Sequence, residues 1–190
     1  MSKLILASSS PQRKVLLAQV GIIPDQIIPA DIDESHDTKE SILAYAKRMS
    51  FEKAKTIHDL HPDAFVIGAD TLVETQRHIL HKTDNVEEAI KFLRMLSGKR
   101  HRVLTSVTVI APSGKYATRA IKTIVHYKRL TEKDILEFLK TDEWKGRAGA
   151  YSILGYAQKF VKSMSGSLSA VVGLPLYETC ALLEGLGFEY

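Results

Sequence analysis

The apolar residues of the chain fall into two rhythms, and their alternation predicts a mixed α/β fold. Lys3 to Ala7 is a short apolar run, read as a strand. It is followed by Ser8-Ser9-Ser10-Pro11 and a helix over Gln12 to Val20, which Gly21 stops. Ser10 suits the N-cap and Pro11 the first helical position. Ile27 and Ile28 begin a short extended piece. Thr38 to Leu60 reads as a long helix in which Ile42, Ala46, Met49 and Lys53 recur in steps of four, three and four, on one face. Phe65-Val66-Ile67 reads as a buried strand of a mixed or parallel sheet. It ends in Gly68-Ala69-Asp70 and resumes as Thr71-Leu72-Val73, which puts Asp70 just beyond the carboxyl end of a central strand. Gln76-Arg77-His78 reads as a hairpin tip and Ile79 to Lys82 as its return, bringing Lys82 back towards Asp70.

Val86 to Ser97 is amphipathic, with Ala89, Ile90, Leu93 and Leu96 inward and Gly98 as its stop. Arg102 to Ile110 has period-two stretches, Pro112-Ser113-Gly114-Lys115 reads as a turn and Tyr116 to Tyr127 as a second extended segment, and the two are expected to pair antiparallel. Thr131 with Asp134 three residues later opens a helix to about Lys140. Phe160-Val161 reads as a short strand and Gly166-Ser167 as a turn. The last helix is expected between Pro175 and Gly185. There is no internal repeat and no low-complexity linker, so residues 1–190 read as one domain.

Composition narrows the function classes. An apolar fraction of 45% over 190 residues buries a real core. The net charge of +4 suits an anionic ligand, but Lys and Arg are scattered, with no basic stripe interleaved with aromatics. A nucleic-acid-binding module is therefore not expected. Cys180 is the single cysteine, so no intramolecular disulfide is possible. The amino terminus lacks a signal-peptide layout and no apolar run is long enough to span a bilayer. The expectation is a soluble, cytoplasmic protein with no membrane partner.

Four stretches carry candidate chemistry. The loop Ser8–Ser10 before a helix start offers amides, hydroxyls and a positive helix end, an arrangement that binds anions. Arg13, one turn in, adds a planar fork for phosphate. The same residues also make an ordinary capped turn with a solvated arginine. Asp31-Ile32-Asp33-Glu34 gathers carboxylates for a hard cation, or is a solvated acidic turn. Lys53, on an apolar stripe, either snorkels past the core edge or points its ammonium into a cleft. Asp70 handles a metal ion or a water nucleophile, or else caps a turn. His101 and His126, at strand ends, are expected to be ordinary surface or packed histidines.

Taken in order, Leu6-Ala7-Ser8-Ser9-Ser10-Pro11-Gln12-Arg13, Asp33-Glu34-Ser35, Glu52-Lys53-Ala54, Gly68-Ala69-Asp70-Thr71, Lys82, Leu96-Ser97-Gly98-Lys99, Ala148-Gly149-Ala150-Tyr151 and Gly173-Leu174-Pro175-Leu176 resemble the Maf family of nucleoside triphosphate pyrophosphatases. The tail from Gly166 to Leu183 is most similar to the branch that hydrolyses dTTP and UTP. The resemblance implies a two-lobed α/β fold, an elongated mixed β-sheet flanked by helices with a central cleft. It implies hydrolysis of a nucleoside triphosphate to the monophosphate and pyrophosphate, with Mg²⁺ or Mn²⁺. Under it, Asp70 is the proton acceptor, and Ser8, Ser10, Arg13, Lys53 and Lys82 hold the triphosphate. Glu34 stands near the metal with Asp70, and Gln12, Thr71 and Leu154 stand at specificity positions. A homodimer is also implied.

The chain departs from the family's pattern. Gln12 stands where arginine is usual, Leu154 where glutamine is usual, Arg147 where lysine is usual, and Thr83 replaces the proline after Lys82. Loss of hydrogen-bonding groups at recognition positions predicts retained hydrolysis with weakened or altered base selectivity, on dTTP, UTP or modified nucleotides. The alternative is a catalytically degenerate nucleotide-binding regulator related to septum formation.

Overall fold

The computed structural model describes residues 2–37, 39–76 and 78–189. Thr38, expected to open the second helix, and Arg77, expected in the hairpin tip, lie outside the described residues. In chain order the elements are β1 (Leu4–Ala7), α1 (Pro11–Gln19), β2 (Gln26–Ile27), α2 (Ile42–Leu60), β3 (Phe65–Thr75), β4 (His78–Leu80), β5 (Lys82–Thr83), α3 (Val86–Leu96), β6 (Arg100–Ile110), β7 (Tyr116–Tyr127), α4 (Glu132–Leu139), β8 (Arg147–Ala148), β9 (Val161–Ser165), α5 (Leu168–Val172) and α6 (Leu176–Gly185). The fold is mixed α/β, a mixed sheet flanked by helices. The chain divides into two compact units: residues 1–71, 105–121 and 173–190, and residues 72–104 with 122–172.

In the first unit β1 lies between β2 and β3 and is parallel to both, with Ile5 opposite Gln26 and Ala7 opposite Gly68. All four β1 residues are buried, which explains its unbroken apolar run. Ser41, whose hydroxyl accepts the Ala44 N–H, starts α2 at Ile42. The apolar stripe of α2 packs with β1 and β3 through Ile5, Ala7, Ala54, Ile57 and Val66. Behind it Ser50 shares hydrogen bonds of 2.8 and 3.0 Å with Ser106 and Thr108, so the polar side chains on this face are satisfied.

The second unit packs α3 and α4 over the adjoining strands, with Leu93, Leu96, Tyr127, Phe138 and Phe160 at its centre. Thr131 with Asp134 forms the expected cap as a reciprocal capping box, and Asn85, not anticipated from the sequence, caps α3. β7 pairs antiparallel with β9, Ile124 opposite Ser165. The turn expected at Gly166-Ser167 leads into a short helix, α5, ahead of the last one. Two expectations need correction. Phe160 ends a short 3-10 turn and the strand begins only at Val161. The return of the hairpin is broken: β4 pairs with β3, while Lys82 pairs with Ala148 in the separate β5–β8 ladder.

His101 is 1% exposed within an aromatic triangle, 5.1 Å from the Tyr127 ring and 5.5 Å from the Tyr151 ring. Its Nε2 is 2.8 Å from the Tyr151 hydroxyl, and its Nδ1 has no partner. Burial pushes the imidazole down to about 4. The native state therefore binds fewer protons than the unfolded chain between that value and the ordinary 6.5. This contribution is complete above pH 6.5 and is lost as pH falls through 4. Urea unfolding at pH 7 and pH 4.5 is expected to show a drop from this group of about 2 kcal/mol. His101→Gln, which does not titrate, should remove that part of the slope; an unchanged slope would contradict the assignment.

Candidate functional site

The site is built from a missing Cβ. A side chain on Gly68 would collide with the backbone of α2, with Ala54 N at 2.6 Å and the Ser50 carbonyl nearer still. The space that Gly68 leaves at the backbone is therefore filled by α2 itself. Gly68 and Asp70 are two apart, so they project from the same face of β3. The helix that rests on Gly68 thus brings Lys53, next to Ala54, against Asp70. Lys53 is 8% exposed and Asp70 7%. The Lys53 ammonium donates to Asp70 Oδ1 at 2.7 Å and lies 2.9 Å from Glu34 Oε1. Asp70 Oδ2 is buried and has no hydrogen-bond partner.

Asp70 lies inside β3, not beyond its carboxyl end as its sequence context suggests. The expectation is corrected because β3 runs on to Thr75. What ends at this level is β1, whose last residue Ala7 is opposite Gly68. Asp70 is therefore past the end of the parallel ladder although it remains within a strand.

Of the acidic cluster only Glu34 reaches Lys53. Asp33 turns back to accept from Ser35, through N–H at 2.9 Å and hydroxyl at 3.0 Å. The loop carrying Glu34 is tied to α2 by two residues that carry no motif signal. Tyr45 donates its hydroxyl to the Glu34 carbonyl at 2.6 Å, and Arg48 donates to the Ser35 carbonyl at 3.0 Å while pairing with Glu40. Burial, then the charges of Asp70 and Glu34, push the Tyr45 hydroxyl above its ordinary value, so it stays a donor.

Arg13 is also buried. Its Nε donates to the Gly173 carbonyl at 2.8 Å, Nη1 to Ser8 Oγ at 2.9 Å and Nη2 to Thr71 Oγ1 at 3.5 Å. Burial pushes the guanidinium below its usual value, while Asp70 and Glu34 act in the opposite direction; it remains charged. Gly173 presents its carbonyl from φ +137°, a left-handed conformation that side chains rarely adopt. Thr71 also accepts from Thr105 at 3.2 Å.

The serine loop is more self-contained than its sequence suggests. The Ser8 N–H is bonded to the Leu6 carbonyl, and Ser8 Oγ accepts the Ser10 N–H at 3.1 Å. Ser10 precedes α1 as expected, but its hydroxyl donates to Gln12 Oε1 at 3.2 Å and does not cap the helix. The first unit thus brings together Ser8, Ser10, Gln12, Arg13, Glu34, Lys53, Asp70 and Thr71. Lys82 and Leu154 belong to the second unit. Lys82 is exposed on β5, and Leu154, 52% exposed, precedes the 3-10 turn.

The order of these residues along the chain is that of a known family. A family model described as Maf-like protein matches residues 3–186. The chain belongs to the Maf family. Among curated relatives of this Maf chain, the dTTP/UTP pyrophosphatase of Hyphomonas neptunium is 49% identical over 186 residues, covering 98% of this chain and 96% of its own. The dTTP/UTP pyrophosphatase of Wolbachia pipientis wMel is 50% identical, covering 97% and 93%. The nucleoside triphosphate pyrophosphatase of Anaplasma phagocytophilum is 45% identical, covering 97% and 96%. Among solved structures, the Staphylococcus aureus Ham1 protein has a TM-score of 0.45 at 15% identity, covering 66% of this chain and 71% of its own, too distant to carry an argument. No helix among the described residues of the Maf chain is long and apolar enough to cross a membrane.

Gly68→Ala tests how the Maf site is built. The new methyl meets helix backbone, so α2 must shift and carry Lys53 with it. Overpacking of this kind costs about 1–3 kcal/mol, to be read from thermal or urea unfolding. Gly185→Ala, where a Cβ meets nothing within 4 Å, serves as the control and should be neutral or slightly stabilising. Equal stability of the two variants would refute the close-approach argument.

Proposed function

We propose that the chain hydrolyses nucleoside triphosphates to the monophosphate and pyrophosphate, with Asp70 as the proton acceptor. The observation that carries this reading is the split environment of one carboxylate. Oδ1 is held by the Lys53 ammonium, and Oδ2 is buried with no hydrogen-bond partner. A carboxylate fixed through one oxygen leaves the other oriented to take a proton from water. The relatives' names support the reaction class, since each is a nucleoside triphosphate pyrophosphatase by name.

Water attacks the α-phosphorus, the bond from that phosphorus to the bridging oxygen of the β-phosphate breaks, and pyrophosphate leaves. The proton of the attacking water passes to Asp70 Oδ2. Lys53 and Arg13 supply fixed positive charge where the phosphate oxygens gain negative charge. Arg13 holds three partners within the protein, which leaves two of its five N–H donors for substrate. Ser8 Oγ already accepts two hydrogen bonds, so its own proton is the one it offers. Lys82 and Leu154 enter this reading only through the family's pattern.

The residues present fit a hard divalent cation shared with substrate. Among the described residues no group of three or more His, Cys, Asp and Glu side chains is placed to hold a metal. Glu34 and Asp70, however, converge on one positive centre. Mg²⁺ is commonly held by one or two carboxylates with phosphate oxygens completing its shell. Glu34 and Asp70 would hold the ion, and it would supply charge neutralisation and acidify bound water. The alternative of a catalytically degenerate nucleotide binder has no observation in its favour, because Asp70, Lys53 and Arg13 are all in place.

Base selection is proposed to be relaxed. Gln12 spends its amide oxygen on Ser10, and Leu154 presents an apolar side chain. Neither supplies the charged or amide group usual at its position in the dTTP/UTP branch. Steady-state rates with Mg²⁺ on dTTP, UTP, CTP and GTP should differ by less than the roughly 10⁴-fold that a hydrogen-bonding recognition site delivers. Sharp preference for dTTP and UTP would overturn this. Asp70→Asn should lower kcat by about 10²–10⁴-fold, the usual worth of a positioned base, while keeping the native circular dichroism. Nucleotide binding without pyrophosphate release by the natural protein would refute the hydrolase reading itself.

A further inference from the structure

We propose that Lys53 is the resident occupant of the divalent-cation position, and that metal and lysine compete for the same two carboxylates. The inference rests on the reading above, in that the cation belongs to the triphosphate site. The Lys53 ammonium sits 2.7 Å from Asp70 Oδ1 and 2.9 Å from Glu34 Oε1. A metal bridging Glu34 and Asp70 would need the place that this ammonium fills. The other oxygen, Asp70 Oδ2, takes no part in the Lys53 pair, so an exchange at Oδ1 leaves the proton acceptor in place. The Glu34 side chain is 52% exposed, so an ion from solvent can reach it, while its backbone is held by Tyr45.

Charge gives the exchange a direction. With Arg13 acting on both carboxylates, the empty cluster sets two cations against two anions and has no net positive charge to draw a polyphosphate. A divalent ion in its place makes the carboxylate pair neutral and frees the ammonium, so the cluster becomes net positive. Lys53 then has phosphate oxygens as its natural partners. The lysine pairs with both carboxylates in the empty enzyme and becomes a substrate ligand once metal arrives. Burial favours this use of a lysine, because an unpaired carboxylate at the Asp70 position is costly.

The test is Mn²⁺ binding to the full chain without nucleotide, by electron paramagnetic resonance or calorimetry. Lys53→Met removes the competitor and should tighten Mn²⁺ binding at least about tenfold, since an adjacent opposite charge shifts cation affinity of a carboxylate by one to three decades. Lys53→Arg keeps the charge and offers a planar fork to both carboxylates, so it should weaken Mn²⁺ binding. Mn²⁺ should raise the melting temperature most for Lys53→Met and least for Lys53→Arg. If Lys53→Met does not fold without metal, the Lys53→Arg comparison decides. Unchanged Mn²⁺ affinity in a folded Lys53→Met, or in Lys53→Arg, overturns the competition. Hydrolysis by the natural protein with unchanged affinities sinks only this inference. The predicted affinity changes without any hydrolysis would keep the cation site and sink the hydrolase reading.

Discussion

The contact of α2 with β3 at Gly68 is the constraint from which the first unit's chemistry follows. With no Cβ at that position, helix backbone rests on strand backbone, and the next residue along the strand face, Asp70, is presented to Lys53. A buried ion pair of this kind is not a device for stability. The cost of removing both charges from water is of the same order as their attraction, and well-packed apolar residues commonly do as well. Breaking such a pair by removing one partner costs about 3–5 kcal/mol, because the other charge is stranded. The pair is therefore a structural liability held in place by its surroundings, which is the usual condition of groups that act on a ligand.

Three further ties hold the surroundings. Arg13 is fixed by the Gly173 carbonyl, by Ser8 and by Thr71, so that α1, β3 and the segment before α6 meet at one guanidinium. Glu34 sits on a loop with no regular structure, yet Tyr45 and Arg48 bind that loop's carbonyls to α2. The hydroxyls of Ser50, Ser106 and Thr108 satisfy one another beneath the helix. Each of these is a satisfied polar contact in a place where an unsatisfied one would cost about 1–3 kcal/mol. Together they let a strand, a helix and two loops hold opposite charges close to one another. The second unit is organised differently, around apolar packing and an aromatic triangle in which His101 stays neutral.

The local chemistry of the chain was legible where the decisive contact lies within a few residues. The Thr131–Asp134 capping box and Pro11 at the start of α1 stand as the residues suggest, whereas β6 is buried on both faces from Val103 to Ile110. Lys53 was legible as a residue on an apolar stripe, although the stripe left open whether its ammonium turned out or in. The family's order of motifs was legible as well, over 184 residues of the matched span 3–186. Asp70 was read as a strand end because glycine, alanine and aspartate interrupt an apolar run. The strand continues through them with β6 as a neighbour in the sheet and β4, the hairpin return that the residues do suggest, along its far half.

The sequence by itself determined the alternation of strands and helices, the capping box of α4, the family and the residue types that a polyphosphate site requires. Those features depend on periodicity, turn chemistry and the identity of side chains, all of which act over short spans of chain. Only the tertiary structure decided which of three neighbouring acids meets Lys53. It also decided that the gap at Gly68 is filled by a helix and that Arg13 spends three of its hydrogen bonds inside the protein. These outcomes depend on which surfaces pack together across long separations of chain. A missing methyl group or a buried carbonyl there determines where a charge is held.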